Sequence, residues 1–168
     1  MKLSIATLTI LLIIQVSCST TKPVQLELSA LNDFKPLLDT TKYIPHYKDK
    51  QRNALAINAG KYKGKYSIAN HTFEGPENTY DIVINTVPEN DGESTYKLLI
   101  NGKKVNEVQN PTTNDTFSNY NLSFGSYLLK PQDVISISFN SHTNGKIPEG
   151  DITAYSRGRW THLKLSSK

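Results

Sequence analysis

The chain has 168 residues, 19 Lys+Arg against 15 Asp+Glu, and one each of Cys, Met and Trp. One Cys excludes a disulfide scaffold and any all-Cys metal site. The three Arg (Arg52, Arg157, Arg159) and 16 Lys are scattered along the sequence, without the clustered positive face that a nucleic-acid partner requires.

Met1–Lys2 forms a minimal positive start, followed by the apolar run LSIATLTILLIIQV. That run is too short for a transmembrane helix, which needs roughly 20 apolar residues, but it has the length of a secretory signal core. It ends at Val16-Ser17-Cys18 and passes at once into polar Ser19-Thr20-Thr21-Lys22. A lone Cys here resembles the lipobox of bacterial lipoproteins, in which cleavage precedes the Cys and its sulfur is acylated. Ser17 and Val16 suit that pattern, whereas Gln15 replaces its usual Leu. The expectation is a signal peptide over 1–17, a lipid anchor on Cys18 and a location in the bacterial cell envelope. Ordinary signal-peptidase cleavage near Ser17 is the competing reading. Of the hydrophobic residues, 12 lie in Met1–Cys18, so apolar residues make up one third of the other 150. With 15 Asn, 16 Thr and 15 Ser in the chain, turns and strands are favoured over long helices.

Residues 18–53 carry Pro23, Pro36 and Pro45 and read as a tether plus a segment packing on the domain. Within them VQLELSALNDFKPLL suits a brief helix or an edge strand. From residue 54 to 168 the pattern changes to short runs between turn residues: 54–59, 65–70, 79–86, 94–100, 104–109, 119–124, 133–139 and 159–165. Period-two alternation places Tyr80, Ile82 and Ile84 on one face, and likewise Ile135, Ile137 and Phe139, and Leu163 with Leu165. Asn101-Gly102 between two runs predicts a two-residue type I′ hairpin. The fold class expected is all-β, an antiparallel sandwich or jelly roll of about eight strands.

Two stretches carry a resemblance. One runs from Phe73 to Ile82 (FEGPENTYDI) and on through NDGESTYKLLINGK (90–103); the other runs from Asn144 to Asp151 (NGKIPEGD) and on into AYSRGRWT (154–161). Together they resemble the carbohydrate-binding jelly-roll modules, similar to galactose-binding-domain-like sandwiches, of secreted bacterial polysaccharide-degrading enzymes. The likeness covers roughly residues 54–165. It implies a polysaccharide ligand and a binding role. Such modules usually accompany a catalytic domain, for which this sequence leaves no room.

By alternation Trp160 lies opposite Leu163 and Leu165, and therefore outward. Beside Arg157 and Arg159 it would make a stacking platform for a pyranose with guanidinium donors for hydroxyl or anionic groups. The competing reading has Trp160 covered by the 19–52 segment or stacked on Arg within the fold. Tyr155, Asn140 and His142 precede that strand and would supply polar contacts from the rim. Asn144-Gly145 reads as a turn. The acidic turn Glu89, Asp91, Glu93 is a candidate structural calcium site and otherwise a solvated loop; no other cofactor is expected. The four His lack zinc-hydrolase spacing, and no nucleophile elbow or phosphate loop is present. A Tyr155, His142 and Arg157 lyase site and a pair of glycosidase carboxylates are the enzyme alternatives to a non-catalytic protein. A structural envelope lipoprotein docking on a protein partner is the further alternative.

Overall fold

Alternating apolar positions dictate two sheets packed face to face. The computed structural model describes residues 23–37, 43–115 and 117–168. The expected signal peptide, Cys18 and the first residues of the expected tether lie outside that range. The elements are β1 (Gln25–Ser29), α1 (Ala30–Asp33), β2 (Lys35–Pro36), β3 (His46–Asp49), β4 (Ala54–Ile57), β5 (Tyr66–Thr72), β6 (Asn78–Thr86), β7 (Thr95–Ile100), β8 (Lys103–Gln109), β9 (Tyr120–Leu129), β10 (Val134–Asn140), β11 (Pro148–Glu149), β12 (Ile152–Thr153) and β13 (Trp160–Ser167). One sheet has the order β3-β4-β13-β6-β9, with β1 paired to β13 along the stretch that β4 leaves free. The other has the order β2-β5-β10-β7-β8, and β11 pairs with β12. All pairings are antiparallel. The all-β antiparallel sandwich expected from the sequence is therefore the fold.

The faces assigned by alternation hold. Tyr80, Ile82, Ile84, Ile135, Ile137, Phe139, Leu163 and Leu165 are all fully buried in one core. Asn101 and Gly102 take φ of 51° and 77° between β7 and β8, as a type I′ turn demands. The sheets close along β8 and β9, where the Asn106 side-chain amide donates to the Phe124 carbonyl at 2.6 Å. Along the other side, Ser67 Oγ donates to the Ile44 carbonyl at 2.7 Å and lies 3.0 Å from His46 Nδ1.

Residues 18–53 contribute more than packing. They supply β1, α1, β2 and β3, and the expected boundary at 53/54 falls inside the β3–β4 hairpin. The helix and the edge strand expected there as alternatives both occur, one after the other. Pro36, which has no N–H to give, pairs at the outer edge of its sheet.

Trp160 requires a correction. Against β6 the register of β13 jumps from Trp160↔Thr86 to His162↔Asn85, so Thr161 is an extra residue. This bulge reverses the parity expected from Leu163 and Leu165. Trp160 turns inward and is fully buried. Phe34 meets it edge-on at 4.9 Å between ring centroids, and Phe139 does so at 6.0 Å. The bulge is pinned by Thr161 Oγ1, which donates to Asn85 Oδ1 at 2.7 Å. A ring with no exposed face has none to offer a sugar, and the segment covering it is the one expected to pack on the domain.

Trp160→Ala is expected to lower unfolding free energy by about 3–5 kcal/mol in urea denaturation followed by circular dichroism. Trp160→Phe is expected to lose less, because its ring refills much of the cavity; both variants remove the buried indole Nε1–H, which has no hydrogen-bond partner. Equal loss in the two variants would contradict this packing.

Candidate ligand-binding rim

At one end of the sandwich the 87–94 turn is pressed between residues 141–144 and 156–159. Val87 N–H donates to the Arg159 carbonyl at 3.0 Å, Asn144 N–H to the Asp91 carbonyl at 3.0 Å, and Ser156 N–H to the His142 carbonyl at 2.8 Å. Gly92 is required there, since a Cβ would strike the His142 carbonyl. Gly158 has φ of 58°, and a Cβ on it would strike the Asn140 carbonyl.

Glu89 organises this end although it is buried. Its Oε1 accepts the Arg157 N–H at 2.8 Å, and its Oε2 lies 2.5 Å from Arg159 Nη1 and 3.5 Å from Arg157 Nη1. Arg159 Nε donates to Asp49 Oδ2 at 2.8 Å. The Phe117 ring lies 3.3 Å from Arg52 Cζ and 5.4 Å from Arg159 Cζ. Burial works against the charged guanidinium of Arg159, but Glu89 and Asp49 outweigh it and hold the pKa above its usual value. Burial likewise works against the Asp49 carboxylate, and Arg159 and Arg52 overcome it and hold the pKa low. Beneath them the Tyr96 hydroxyl donates to the Arg159 carbonyl at 2.9 Å and accepts from Asn110 at 3.2 Å. Asn110 in turn accepts the Thr86 hydroxyl at 2.7 Å.

These contacts divide the residues expected at a site. Arg159 is buried and spent on two carboxylates, so it is unavailable to a ligand. Asn140 is buried and accepts the Thr95 N–H at 2.7 Å through Oδ1, a structural contact. His142 accepts the Glu93 N–H at 3.0 Å through Nδ1. Tyr155 is partly exposed, with Lys63 Nζ 6.0 Å from its ring centroid. Arg157 and His142 both face solvent, with side chains 41% and 37% exposed. Arg157 lines an open depression with Tyr47, Asn58, Gly60 and Glu149. His142 and Tyr155 do not line that depression, so it does not unite the Tyr155, His142 and Arg157 lyase set.

Tyr47, Asn58 and Glu149 were not singled out by the sequence reading. Tyr47 is 39% exposed because its cross-strand partner on β4 is Ala56, too small to cover the ring. The detectable signal was the polar turn Lys50–Asn53 between HYKD and ALAI, which marks a hairpin.

The acidic turn does not form the expected calcium site. Both Glu89 oxygens are taken by arginine groups, while Glu93 Oε1 accepts from Thr112 Oγ1 at 3.0 Å and lies 3.4 Å from Asn144 Nδ2. Among the described residues no three His, Cys, Asp or Glu side chains are arranged to hold a metal ion. Asp91 has one carboxylate oxygen buried without a partner. Burial, with the Glu89 charge adding to it, pushes the Asp91 pKa up to about 6.

No family model matches the chain. Over 116 residues it is 30% identical to uncharacterized protein P23 of Formosa agariphila, covering 67% of this chain and 26% of that protein. The chain thus spans about a quarter of the length of that relative. Among solved structures it is similar to the CBM36-1 domain of a multidomain xylanase from the hindgut metagenome of Trinervitermes trinervoides. The TM-score is 0.50 at 10% identity, over 86% of this chain and 98% of that domain. It is also similar to the insecticidal crystal protein Cry2Aa, with a TM-score of 0.52 at 15% identity over 85% of this chain and 21% of that one. The fold is thus that of the carbohydrate-binding-module sandwich, and it is not confined to such modules.

Asp91 gives a pH-dependent prediction. Its folded pKa of about 6 lies above the ordinary value of 3.8, so the folded state favours the protonated form. Its contribution to stability is present below the ordinary value and is lost as pH rises through about 6. Asp91→Asn is expected to be more stable than the wild-type chain at neutral pH by ~1 kcal/mol, with the gap closing near pH ~4. Thermal melts of both across that range check it, and a gap independent of pH counts against it.

Proposed function

We propose that this chain is a non-catalytic carbohydrate-binding sandwich that holds a polysaccharide in the depression lined by Tyr47, Asn58, Glu149 and Arg157. The observation that carries this reading is the pairing of a half-exposed tyrosine ring with an exposed guanidinium, on a fold shared with a carbohydrate-binding module. A pyranose presents a C–H face that packs on an aromatic ring, and hydroxyl groups that accept from Arg and Asn and donate to Glu. Glu89 holds the backbone of Arg157 and lies near its guanidinium, so little ordering of that side chain remains for binding. The reading requires no metal ion and no reacting group.

The partner-docking alternative has weaker support. The exposed large apolar residues Tyr47, Phe117, Tyr120, Leu128 and Ile152 are spread over β3, the 110–119 loop, β9 and β12. They do not line up along a single strand.

Affinity gel electrophoresis against a panel of plant and algal polysaccharides tests the function. Retardation by at least one of them is expected, with Tyr47→Ala and Arg157→Ala each weakening it by about tenfold, near 1.4 kcal/mol. No retardation by any polysaccharide, or full retention by both variants, would overturn the reading.

The same proposal places the domain at a bacterial envelope membrane through acylated Cys18, on the strength of the apolar run and the single Cys that ends it. Radiolabelled palmitate is expected to enter the wild-type chain expressed in a bacterium and not Cys18→Ala. Label in both chains, or in neither, counts against the anchor.

A further inference from the structure

The whole sequence carries a formal charge of +4, yet residues 43–73 alone hold six Lys and Arg against Asp49. The remainder of the chain is therefore slightly acidic, and the positive surplus belongs to β3, the turn joining β3 to β4 and the turn joining β4 to β5. The last of these, with Lys61, Lys63 and Lys65, flanks the Tyr47 depression. Asn58 and Gly60 line the depression, and the Asn58 carbonyl accepts the N–H groups of Lys61 and Tyr62 at 3.1 and 2.9 Å.

Lysines on other strands lie near carboxylates: Lys97 and Lys104 near Glu107, Lys164 near Glu27, Lys168 near Asp81. Among the described residues Lys61, Lys63 and Lys65 have no such partner. Two of them lie near aromatic rings instead: Lys61 Nζ is 5.3 Å from the Tyr62 centroid and Lys63 Nζ 6.0 Å from that of Tyr155. Three like charges within five residues repel one another, and among the described residues none of the three makes an ion pair. Glu149, which also lines the depression, makes no ion pair with them. Arg159 and Asp49 neutralise each other beneath, as Arg157 and Glu89 do beside them, which leaves three lysines against Glu149 around the depression, a net positive balance.

We infer that the glycan taken here is anionic, bearing carboxylate or sulfate groups that lie against Lys61, Lys63 and Lys65 while a ring stacks on Tyr47. This inference rests on the carbohydrate-binding reading above. Two pairs of probes test it by isothermal titration calorimetry: polygalacturonate with its carboxyl-reduced form, and iota-carrageenan with its desulfated form. At least one anionic probe is expected to bind about tenfold or more tightly than its neutral counterpart, with affinity falling as salt rises from about 50 to about 500 mM. Which pair discriminates identifies carboxylate or sulfate. A Lys61→Gln, Lys63→Gln, Lys65→Gln variant with an unchanged melting temperature is expected to lose that preference. Equal binding of anionic and neutral forms, or an unchanged preference in the triple variant, overturns the inference while leaving the carbohydrate-binding reading in place. Binding of no polysaccharide, these four included, overturns both.

Discussion

One extra residue in β13 decides which way this end of the molecule faces. A strand has a side-chain period of two, so a single insertion exchanges core and surface for everything beyond it. The bulge at Thr161 sends Trp160 into the core with Leu163 and Leu165. Arg159, as the neighbour of Trp160, must then take the other side, where Glu89 and Asp49 await it. Without the bulge the largest side chain of the chain would lie in solvent and a guanidinium would lie in the core, each at a cost of several kcal/mol.

The buried charges at the rim follow from that placement. A glutamate buried in an apolar layer without partners would give up its charge. Glu89 keeps close partners because two arginines and a backbone N–H converge on it from the same β13 approach. The result is a rim held by ion pairs and backbone contacts among chain segments far apart in sequence. Loops fixed in that way can present side chains in defined positions without being part of either sheet. Arg157 is shared between the two roles: its backbone belongs to the scaffold and half of its guanidinium to solvent.

The sandwich was legible because its strands are half-buried and alternate, and all eight runs read from the sequence became strands. The run expected to stop at Phe124 continues to Leu129 as β9. Gly125, with φ of 93°, sits at a register shift that interrupts the alternation. β1, β2 and β3 were read as tether and packing segment because prolines break their pattern and each is short, so their identity comes from pairing with strands more than a hundred residues away in the case of β1. The site was less legible for the same reason. Arg157 was visible as a residue type in a motif. Tyr47 is exposed only because of what stands opposite it, and an opposite residue is information the linear sequence does not carry. Trp160 was placed outward by a parity argument that a single bulge invalidates, and Arg159 was joined to it only as a flanking residue.

The order of strands also has a consequence in time. β13 ends the described chain, yet it lies in the middle of its sheet, between β6 on one side and β4 with β1 on the other. Until β13 is available, β6 has an open edge and β1 has nothing to pair with, whereas β2 and β3 already have β5 and β4. Most of this topology consists of contacts distant in sequence, which form slowly. A nascent chain of this kind cannot complete its sandwich before β13 has been made. Its core therefore closes later than that of a chain whose central strands come early in the sequence.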